Sequence, residues 1–219
     1  GGKSMYQYIL FDLDGTLTDP REGITRSVQY ALGKMGIDAP DRTALEHFIG
    51  PPLYDEFIRC YGFDDAGAKQ AVAAYRERFS VRGWKENLLL SGVPELLRAL
   101  KDAGKKAAIA SSKPTVFVEK ILQRFQIDSY FDVVSGATLD GVISTKSQVV
   151  RQALEMLQVR ERSEAVLVGD RMHDAEGAQN NGIACIGVTF GFGGRDELAC
   201  AGVDQIVDTM EELRELLLK

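Results

Sequence analysis

The sequence has few of the residues from which disulfide frameworks and zinc sites are built. Its 219 residues include three cysteines and two histidines. Cys60, Cys185 and Cys200 form no CxxC pair or other metal-ligand spacing, and this odd, scattered set is typical of reduced thiols. Without an HExxH motif the sequence also disfavours a zinc site. Without a GxxxxGK[ST] motif it disfavours a P-loop protein.

Long apolar runs and an excess of positive charge are missing as well. No run approaches the roughly 18 residues of a membrane span, and no charged-then-apolar leader with a cleavage site is visible. The net charge of -6 argues against nucleic acid polymers and anionic membranes as partners, because both favour basic surfaces. We therefore expect a cytoplasmic protein. Residues 1–4 (GGKS), ahead of Met5, are interpreted as an expression scar.

Short apolar runs alternate with amphipathic helical patterns along most of the chain. The candidate strands are 6–11, 107–110, 131–134, 165–168, 184–188 and 205–207, and the clearest helical patterns are 94–103, 114–126 and 146–157. Such alternation implies parallel strands with helices on both faces of the sheet. The sequence therefore predicts an α/β fold with a Rossmann-like parallel sheet.

One region breaks this alternation. From about residue 20 to residue 87 only helical patterns occur, with Ile24, Val28, Leu32 and Met35 sharing one face before Gly36 ends the pattern. We predict an inserted helical domain at 18–87 and an α/β core made of 5–17 and 88–219.

Polar side chains gather where three of the predicted strands end. Asp12 and Asp14 follow the first strand, Ser111, Ser112 and Lys113 follow 107–110, Asp170 and Asp174 follow 165–168, and Lys146 begins a helix. In an open parallel sheet, ligands bind beyond the carboxyl ends of the strands. If these strands are neighbours in the sheet, the side chains converge on one crevice.

The charges of these residues constrain the chemistry. Two unit charges 4 Å apart in a partly buried site interact by roughly 4 kcal/mol, so four carboxylates need a cation among them or partial protonation. Oxygen ligands without histidine or thiolate indicate Mg²⁺. Lys146 and the Ser111 hydroxyl are suitable donors to phosphate oxygens. An aspartate beside a metal-bound phosphate can form an aspartyl phosphate, and a second carboxyl two residues away can transfer protons.

The motifs DLDGT, SSK, Lys146 and GDRMHD, in this order, resemble the four motifs of the haloacid dehalogenase (HAD) superfamily. The resemblance covers essentially the whole chain from Met5, and the helical insert resembles the small cap of the phosphoglycolate phosphatase-like branch. Within that branch, ASSKP, GATLDG, KSQVV and GDRMHD are similar to bacterial proteins described as 5′-nucleotidases. Many relatives carry proline directly after the lysine of the third motif, which is Lys146 here. This chain has Ser147 at that position, which puts the conformation of the local turn in doubt.

The resemblance implies a role for each motif residue. Asp12 would be the nucleophile and Asp14 the general acid and base. Ser111, with Ser112 beside it, and Lys146 would bind the phosphoryl group. Mg²⁺ would be held by Asp12, by the backbone carbonyl of Asp14 and by Asp170, with Asp174 binding directly or through water. The implied activity is a Mg²⁺-dependent phosphatase acting on a small phosphomonoester.

Several alternatives remain open from the sequence. The substrate could be phosphoglycolate or a nucleoside 5′-monophosphate, and Arg21, Thr25, Tyr54 and Arg82 of the insert are candidates for selecting it. A phosphomutase would use the same two aspartates. A phosphoacceptor switch and a binding protein without activity are alternatives of a different, non-enzymatic class. His173 lies within the acidic motif but is interpreted as a surface or supporting residue, and the loop 191–194 as lying near the cap entrance.

Overall fold

The computed structural model describes residues 5–219, so the predicted expression scar lies outside the described residues. The chain divides into two compact units. The first, called here the α/β unit, comprises the described residues up to Asp19 together with Leu89–Lys219. The second, called here the helical unit, comprises Pro20–Leu88.

The α/β unit is built on a six-stranded parallel sheet. The strands of the chain are β1 (Tyr8–Phe11), β2 (Thr18–Asp19), β3 (Leu88–Leu89), β4 (Lys106–Pro114), β5 (Val133–Ala137), β6 (Ala165–Gly169), β7 (Ala184–Val188) and β8 (Gln205–Val207). The sheet has the order β5-β4-β1-β6-β7-β8, and β2 pairs with β3 in a separate two-stranded sheet. All six predicted strands are confirmed, and with them the α/β fold.

The helices connect the strands and also form the helical unit. They are α1 (Arg21–Lys34), α2 (Leu53–Tyr61), α3 (Asp65–Phe79), α4 (Val93–Asp102), α5 (Thr115–Arg124), α6 (Lys146–Met156), α7 (Met172–Asn180), α8 (Gly194–Ala201) and α9 (Met210–Leu218). Short 3₁₀ helices lie at Arg42–Phe48, Gly83–Lys85, Asp128–Tyr130 and Arg162–Glu164. Within residues 5–219, no helix combines the length and the apolar character that crossing a membrane requires.

The central strands are apolar because helices cover both faces of the sheet. Ile9, Leu10 and Phe11 of β1 are fully buried, as are the residues 166–168 of β6. β1 pairs with β4 on one side and with β6 on the other, both in parallel. A strand buried on both faces reads as a continuous apolar run, which is why these strands are visible in the sequence.

β4 differs most from its predicted length, whereas β5 begins two residues later and ends three residues later than predicted and β6 is longer by one residue. β4 continues through Ser111, Ser112 and Lys113 to Pro114, and its pairing with β5 shifts register between Ala110 and Pro114. Pro114 keeps an extended conformation, with φ -55° and ψ 136°, and α5 starts at the next residue. The prediction that a helix begins at residue 114 was therefore early by one residue. The polar residues belong to the irregular end of the strand.

The helical unit buries the apolar face that its sequence pattern predicts. Val28 and Leu32 of α1 are fully buried, and Phe79 of α3 is nearly so. The backbones approach closely at Gly23 and Gly83, because a Cβ atom on Gly23 would lie 2.0 Å from the Gly83 carbonyl oxygen.

Candidate active site

Three neighbouring strands bring the predicted site residues to one edge of the sheet. Asp12 directly follows β1, Asp170 directly follows β6, and Ser111 lies near the end of β4. Because β4, β1 and β6 are adjacent and parallel, their carboxyl ends meet at the same edge. The chain runs from β1 to one side of the sheet through β4 and to the other side through β6, so this edge is also a topological switch point.

Three carboxylates form the centre of this region. One oxygen from each of Asp12, Asp170 and Asp174 lies within 4.8 Å of the others, and all three side chains are buried. Burial, and then the charge of Asp174, raises the pKa of Asp12 to about 7. Burial and the charge of Asp12 likewise raise the pKa of Asp170 well above its ordinary value. Ionising all three carboxylates together is therefore unfavourable, and a cation among them would relieve this.

Lys146 supplies one positive charge to this cluster. Its Nζ atom lies 2.9 Å from Asp12 Oδ1 and 3.0 Å from Asp174 Oδ1, and it donates a hydrogen bond of 2.8 Å to the Ala110 carbonyl oxygen. Burial opposes the charge of the lysine, but the two carboxylates outweigh burial and keep the pKa of Lys146 above its ordinary value. One lysine leaves the three carboxylates only partly neutralised.

The start of α6 places Lys146 at the site. Thr145 and Gln148 form a capping box, in which each side chain accepts from the backbone of the other residue, so the helix begins at Lys146. Ser147 does not disturb this start, because its hydroxyl accepts a hydrogen bond of 2.9 Å from Asn180 Nδ2. The absence of proline after Lys146 therefore leaves the position of the lysine intact.

Asp174 links the carboxylate cluster to the start of α7. Its Oδ2 atom accepts hydrogen bonds from the backbone N–H groups of Asp170 and Arg171, both at 3.1 Å. Its Oδ1 atom is the one near Lys146. Asp174 therefore caps the start of α7 with one carboxylate oxygen and belongs to the carboxylate cluster with the other.

Asp14 has a different basic partner. Its Oδ2 atom lies 3.1 Å from Lys113 Nζ, and both side chains are nearly buried. Its Oδ1 atom is buried and makes no hydrogen bond within residues 5–219. Each of the two aspartates therefore faces its own lysine, and Gly15 directly after them has a left-handed conformation with φ +84°.

The contact of Lys113 with Asp14 is not evident from the sequence. Lys113 belongs to the SSK motif, but its position two residues beyond Ser111 indicates no role by itself. Ser111 is buried, and its hydroxyl accepts a hydrogen bond of 3.1 Å from the Lys113 backbone N–H. Ser112 lies between them in β4 and is half-buried, and its contact with phosphate stays a prediction.

The glycine-rich loop after β7 wraps around Asp170. The Phe192 N–H donates to Asp170 Oδ2 at 2.8 Å, and the Gly193 N–H donates to the Asp170 carbonyl oxygen at 3.1 Å. A Cβ atom on Gly191 would lie 2.2 Å from Asp170 Cβ, so only glycine fits there. No sequence pattern connects this loop with Asp170, and the position of the loop near a cap entrance stays a prediction.

The insert residues predicted to select the substrate make contacts within the helical unit. Arg21 lies 3.3 Å from Glu46, and the Tyr54 hydroxyl donates to Asp65 at 2.5 Å. Thr25 is buried, and its hydroxyl donates to the Arg21 carbonyl oxygen. Arg82 is exposed.

Replacing Gly15 by alanine should displace Asp170. The new Cβ atom would lie 2.1 Å from Asp170 Oδ2, and the residue would have to keep a left-handed conformation. Gly104→Ala is the matched control, because Gly104 has φ +75° but no atom within 4 Å of the new Cβ. We expect the control to lose only the roughly 1–2 kcal/mol of the left-handed conformation. Gly15→Ala should lose more stability and also turnover, measured by denaturant unfolding and phosphate release. Equal losses of stability and of turnover in the two variants would contradict the expected displacement of Asp170.

The carboxylate cluster is the group of residues that could hold a metal ion at this edge. Its donor atoms are all carboxylate oxygens, and its three carboxyl groups share the single positive charge of Lys146. Hard oxygen donors of this kind suit Mg²⁺ or Ca²⁺ better than zinc. The buried residues therefore fit the predicted Mg²⁺.

Comparisons with known proteins agree with this geometry. The family model of the haloacid dehalogenase-like hydrolases matches residues 9–188. A 5′-nucleotidase from Pseudomonas aeruginosa is 50% identical over 212 residues, which cover 97% of this chain and 96% of that protein. The tyrosine-protein kinase PtkA of Mycobacterium tuberculosis is 39% identical over 214 residues, which cover 96% of this chain and 72% of that protein. A crystal structure described as a predicted phosphatase from Clostridium acetobutylicum superposes with a TM-score of 0.96 at 46% identity, covering 98% of this chain and 99% of that one.

Proposed function

We propose, from the premise that the chain belongs to the haloacid dehalogenase-like hydrolase family, that it is a Mg²⁺-dependent phosphatase. Its substrate would be a small phosphomonoester, hydrolysed through an aspartyl phosphate on Asp12. The observation that carries the proposal is the buried cluster of Asp12, Asp170 and Asp174 with Lys146 at the edge of the parallel sheet. Because carboxylates repel a negatively charged phosphoryl group, this cluster can bind one only when cations lie between them.

Asp12 is the proposed nucleophile. Its Oδ1 atom accepts hydrogen bonds from the Leu13 N–H and from Lys146 Nζ, both at 2.9 Å. These two donors orient the carboxylate, and Lys146 favours its ionised form, which attack on phosphorus requires. The bond to phosphorus forms as the bond from phosphorus to the leaving oxygen breaks, and water then hydrolyses the acyl phosphate.

Asp14 is the proposed general acid and base. Lys113 contacts one of its oxygens, and the buried Oδ1 atom has no partner among the described residues. A buried acceptor without a partner is costly, so a bound molecule is the natural partner for it. We propose that Asp14 gives a proton to the leaving oxygen and later takes one from the attacking water.

The remaining polar groups would bind the metal and the phosphoryl group. Asp12, Asp170 and the backbone carbonyl of Asp14 would hold Mg²⁺, with Asp174 binding directly or through water. Mg²⁺ supplies charge neutralisation to the phosphoryl group as it is transferred. Lys146, Ser111 and Ser112 would donate to phosphoryl oxygens.

Among phosphomonoesters, we propose a nucleoside 5′-monophosphate as the preferred substrate. Support comes from the 5′-nucleotidase relative, which is 50% identical over nearly the full length of both chains. The helical unit is proposed to act as the cap that selects the substrate, because the core residues bind only phosphate and metal.

Phosphate release from a panel of esters tests this function. The panel contains p-nitrophenyl phosphate, 2-phosphoglycolate, nucleoside 5′-monophosphates and sugar phosphates, each assayed with Mg²⁺ and with a chelator. We expect metal-dependent turnover with the highest kcat/KM for a nucleoside 5′-monophosphate. Release that the chelator does not affect would contradict the Mg²⁺ site. Phosphate transfer that depends on a bisphosphate primer, with little net release, would instead indicate a phosphomutase.

A further inference from the structure

The helical unit contains a second group of side chains able to bind a metal. His47 lies in the 3₁₀ helix Arg42–Phe48, and Glu56 and Cys60 lie in α2. His47 Nδ1 is 2.7 Å from Glu56 Oε1, and Cys60 Sγ is 3.5 Å from that oxygen and 3.8 Å from Nδ1. One nitrogen, one oxygen and one sulfur thus form a compact triangle, and none of these residues belongs to the carboxylate cluster.

Local packing holds the three side chains together. Glu56 and Cys60 are four residues apart in α2, so they share one face of the helix. The rings of Phe48 and Phe57, each adjacent in sequence to one member of the triangle, lie 5.0 Å apart between centroids, and both are buried. This contact holds the 3₁₀ helix against α2 and places His47 beside Glu56.

The triangle has nearly the dimensions of one face of a tetrahedral zinc site. With a Zn–S bond of about 2.3 Å and Zn–N or Zn–O bonds of about 2.0–2.1 Å, two ligand atoms lie roughly 3.4–3.6 Å apart. The two distances from Cys60 Sγ are within a few tenths of an ångström of this range. The distance from His47 to Glu56 is that of a hydrogen bond, and it would lengthen when the shared proton is replaced by a metal.

Arg59 is the competing partner of Glu56. Its Nε atom donates to Glu56 Oε2 at 3.1 Å, and its second guanidinium nitrogen contacts Oε1. The Arg59 side chain is 65% exposed, whereas that of Glu56 is only 7% exposed. The guanidinium can therefore move away from Oε1 while keeping its bond to Oε2, but the carboxylate cannot leave the triangle as easily.

We propose that His47 Nδ1, Glu56 Oε1 and Cys60 Sγ form a zinc site in the helical unit, with water at the fourth position. Imidazole, thiolate and carboxylate are the three ligand types that zinc takes in proteins, whereas Mg²⁺ disfavours sulfur. Binding releases the thiol proton of Cys60 and removes the proton between His47 Nδ1 and Glu56, which a neutral imidazole carries at Nε2 instead. The sequence disfavours zinc because an H-x₈-E-x₃-C spacing matches none of the familiar zinc motifs.

Cobalt titration of the full-length chain tests this site. Co²⁺ replaces zinc in such sites, and a thiolate ligand gives a sulfur-to-cobalt charge-transfer absorption that carboxylate ligands cannot give. With excess Mg²⁺ present to occupy the proposed site at the carboxylate cluster, we expect this band to saturate at one cobalt per chain and to disappear when zinc is added. Cys60→Ser should lose the band. His47→Gln should weaken cobalt binding by more than the ~10–100-fold typical of losing an outer partner of a metal ligand.

Cys200→Ser is the matched control, because Cys200 is also an exposed free thiol but lies in α8 of the α/β unit. This variant should keep the band at full intensity. A wild-type chain without the band would overturn the proposal, as would a band that survives Cys60→Ser or disappears in Cys200→Ser. The wild-type and Cys200→Ser titrations still test the proposed zinc site if a variant of His47, Glu56 or Cys60 does not fold.

Discussion

Replacing Asp12 by asparagine should abolish phosphate release while the chain stays folded. An amide nitrogen and a neutral carbonyl cannot replace the ionised oxygen that forms the acyl phosphate, so turnover should fall by about 10³-fold or more. Stability should not fall in metal-free buffer, because the substitution removes a carboxyl group whose ionised form burial and Asp174 disfavour, and it leaves Lys146 paired with Asp174. Phosphate release and thermal unfolding measure the two effects.

Asp102→Asn is the control for this substitution. Asp102 is exposed at the end of α4, in the same α/β unit. Its substitution also replaces a carboxylate by an amide, but at a position away from the site. Its turnover should equal that of the wild type. If Asp12→Asn released phosphate at a substantial fraction of the wild-type rate, another group would have to be the nucleophile, and Asp14 would be tested next in the same way.

The sheet was predictable from the sequence because burial on both faces leaves a clear pattern. The residues 166–168 and 9–11 are fully buried and appear as uninterrupted apolar runs. The convergence of Asp12, Ser111 and Asp170 was predicted on the condition that their strands are neighbours in the sheet, and the order β4-β1-β6 meets this condition. The position of each polar residue along its strand is local information, whereas the order of the strands is not.

The partners of the aspartates were harder to predict because they come from distant parts of the chain. Lys146 is 134 positions away from Asp12, and the sequence indicated it as a donor to phosphate oxygens without indicating its contact with Asp12. Lys113 lies at the irregular end of β4, where the register shift that directs it toward Asp14 has no marker in the sequence. The contact of the loop 191–194 with Asp170 likewise depends on backbone N–H groups, which every residue except proline carries.

The triangle of His47, Glu56 and Cys60 shows the same limit. The four-residue spacing of Glu56 and Cys60 is visible in the sequence, but it becomes informative only when Phe48 packs on Phe57 and brings His47 to the same face. A search for adjacent pairs of cysteine or histidine cannot detect a site whose three ligands belong to three residue types.

Replacing Lys146 by methionine should reduce both turnover and stability. Methionine fills a similar volume without a charge, so Asp12 and Asp174 would lose the ammonium group that lies 2.9 and 3.0 Å from them. Removing one member of a buried charged group typically costs about 3–5 kcal/mol. Turnover should fall by about 10²-fold or more, because the same ammonium group would stabilise the charge on the phosphoryl group. Denaturant unfolding and phosphate release measure the two losses.

Lys106→Met provides the matched control. Lys106 also pairs with an aspartate, Asp132 at 3.6 Å, and also belongs to the α/β unit, where it begins β4, but both side chains are exposed. An exposed pair contributes about 0–1 kcal/mol, so this variant should unfold almost like the wild type. Mg²⁺ should restore part of the stability of Lys146→Met, because a divalent cation relieves the repulsion that the lysine no longer screens. If Lys146→Met were as stable as Lys106→Met in metal-free buffer, the carboxylates would have to be protonated in the folded chain, and the buried cluster would need no cation to persist.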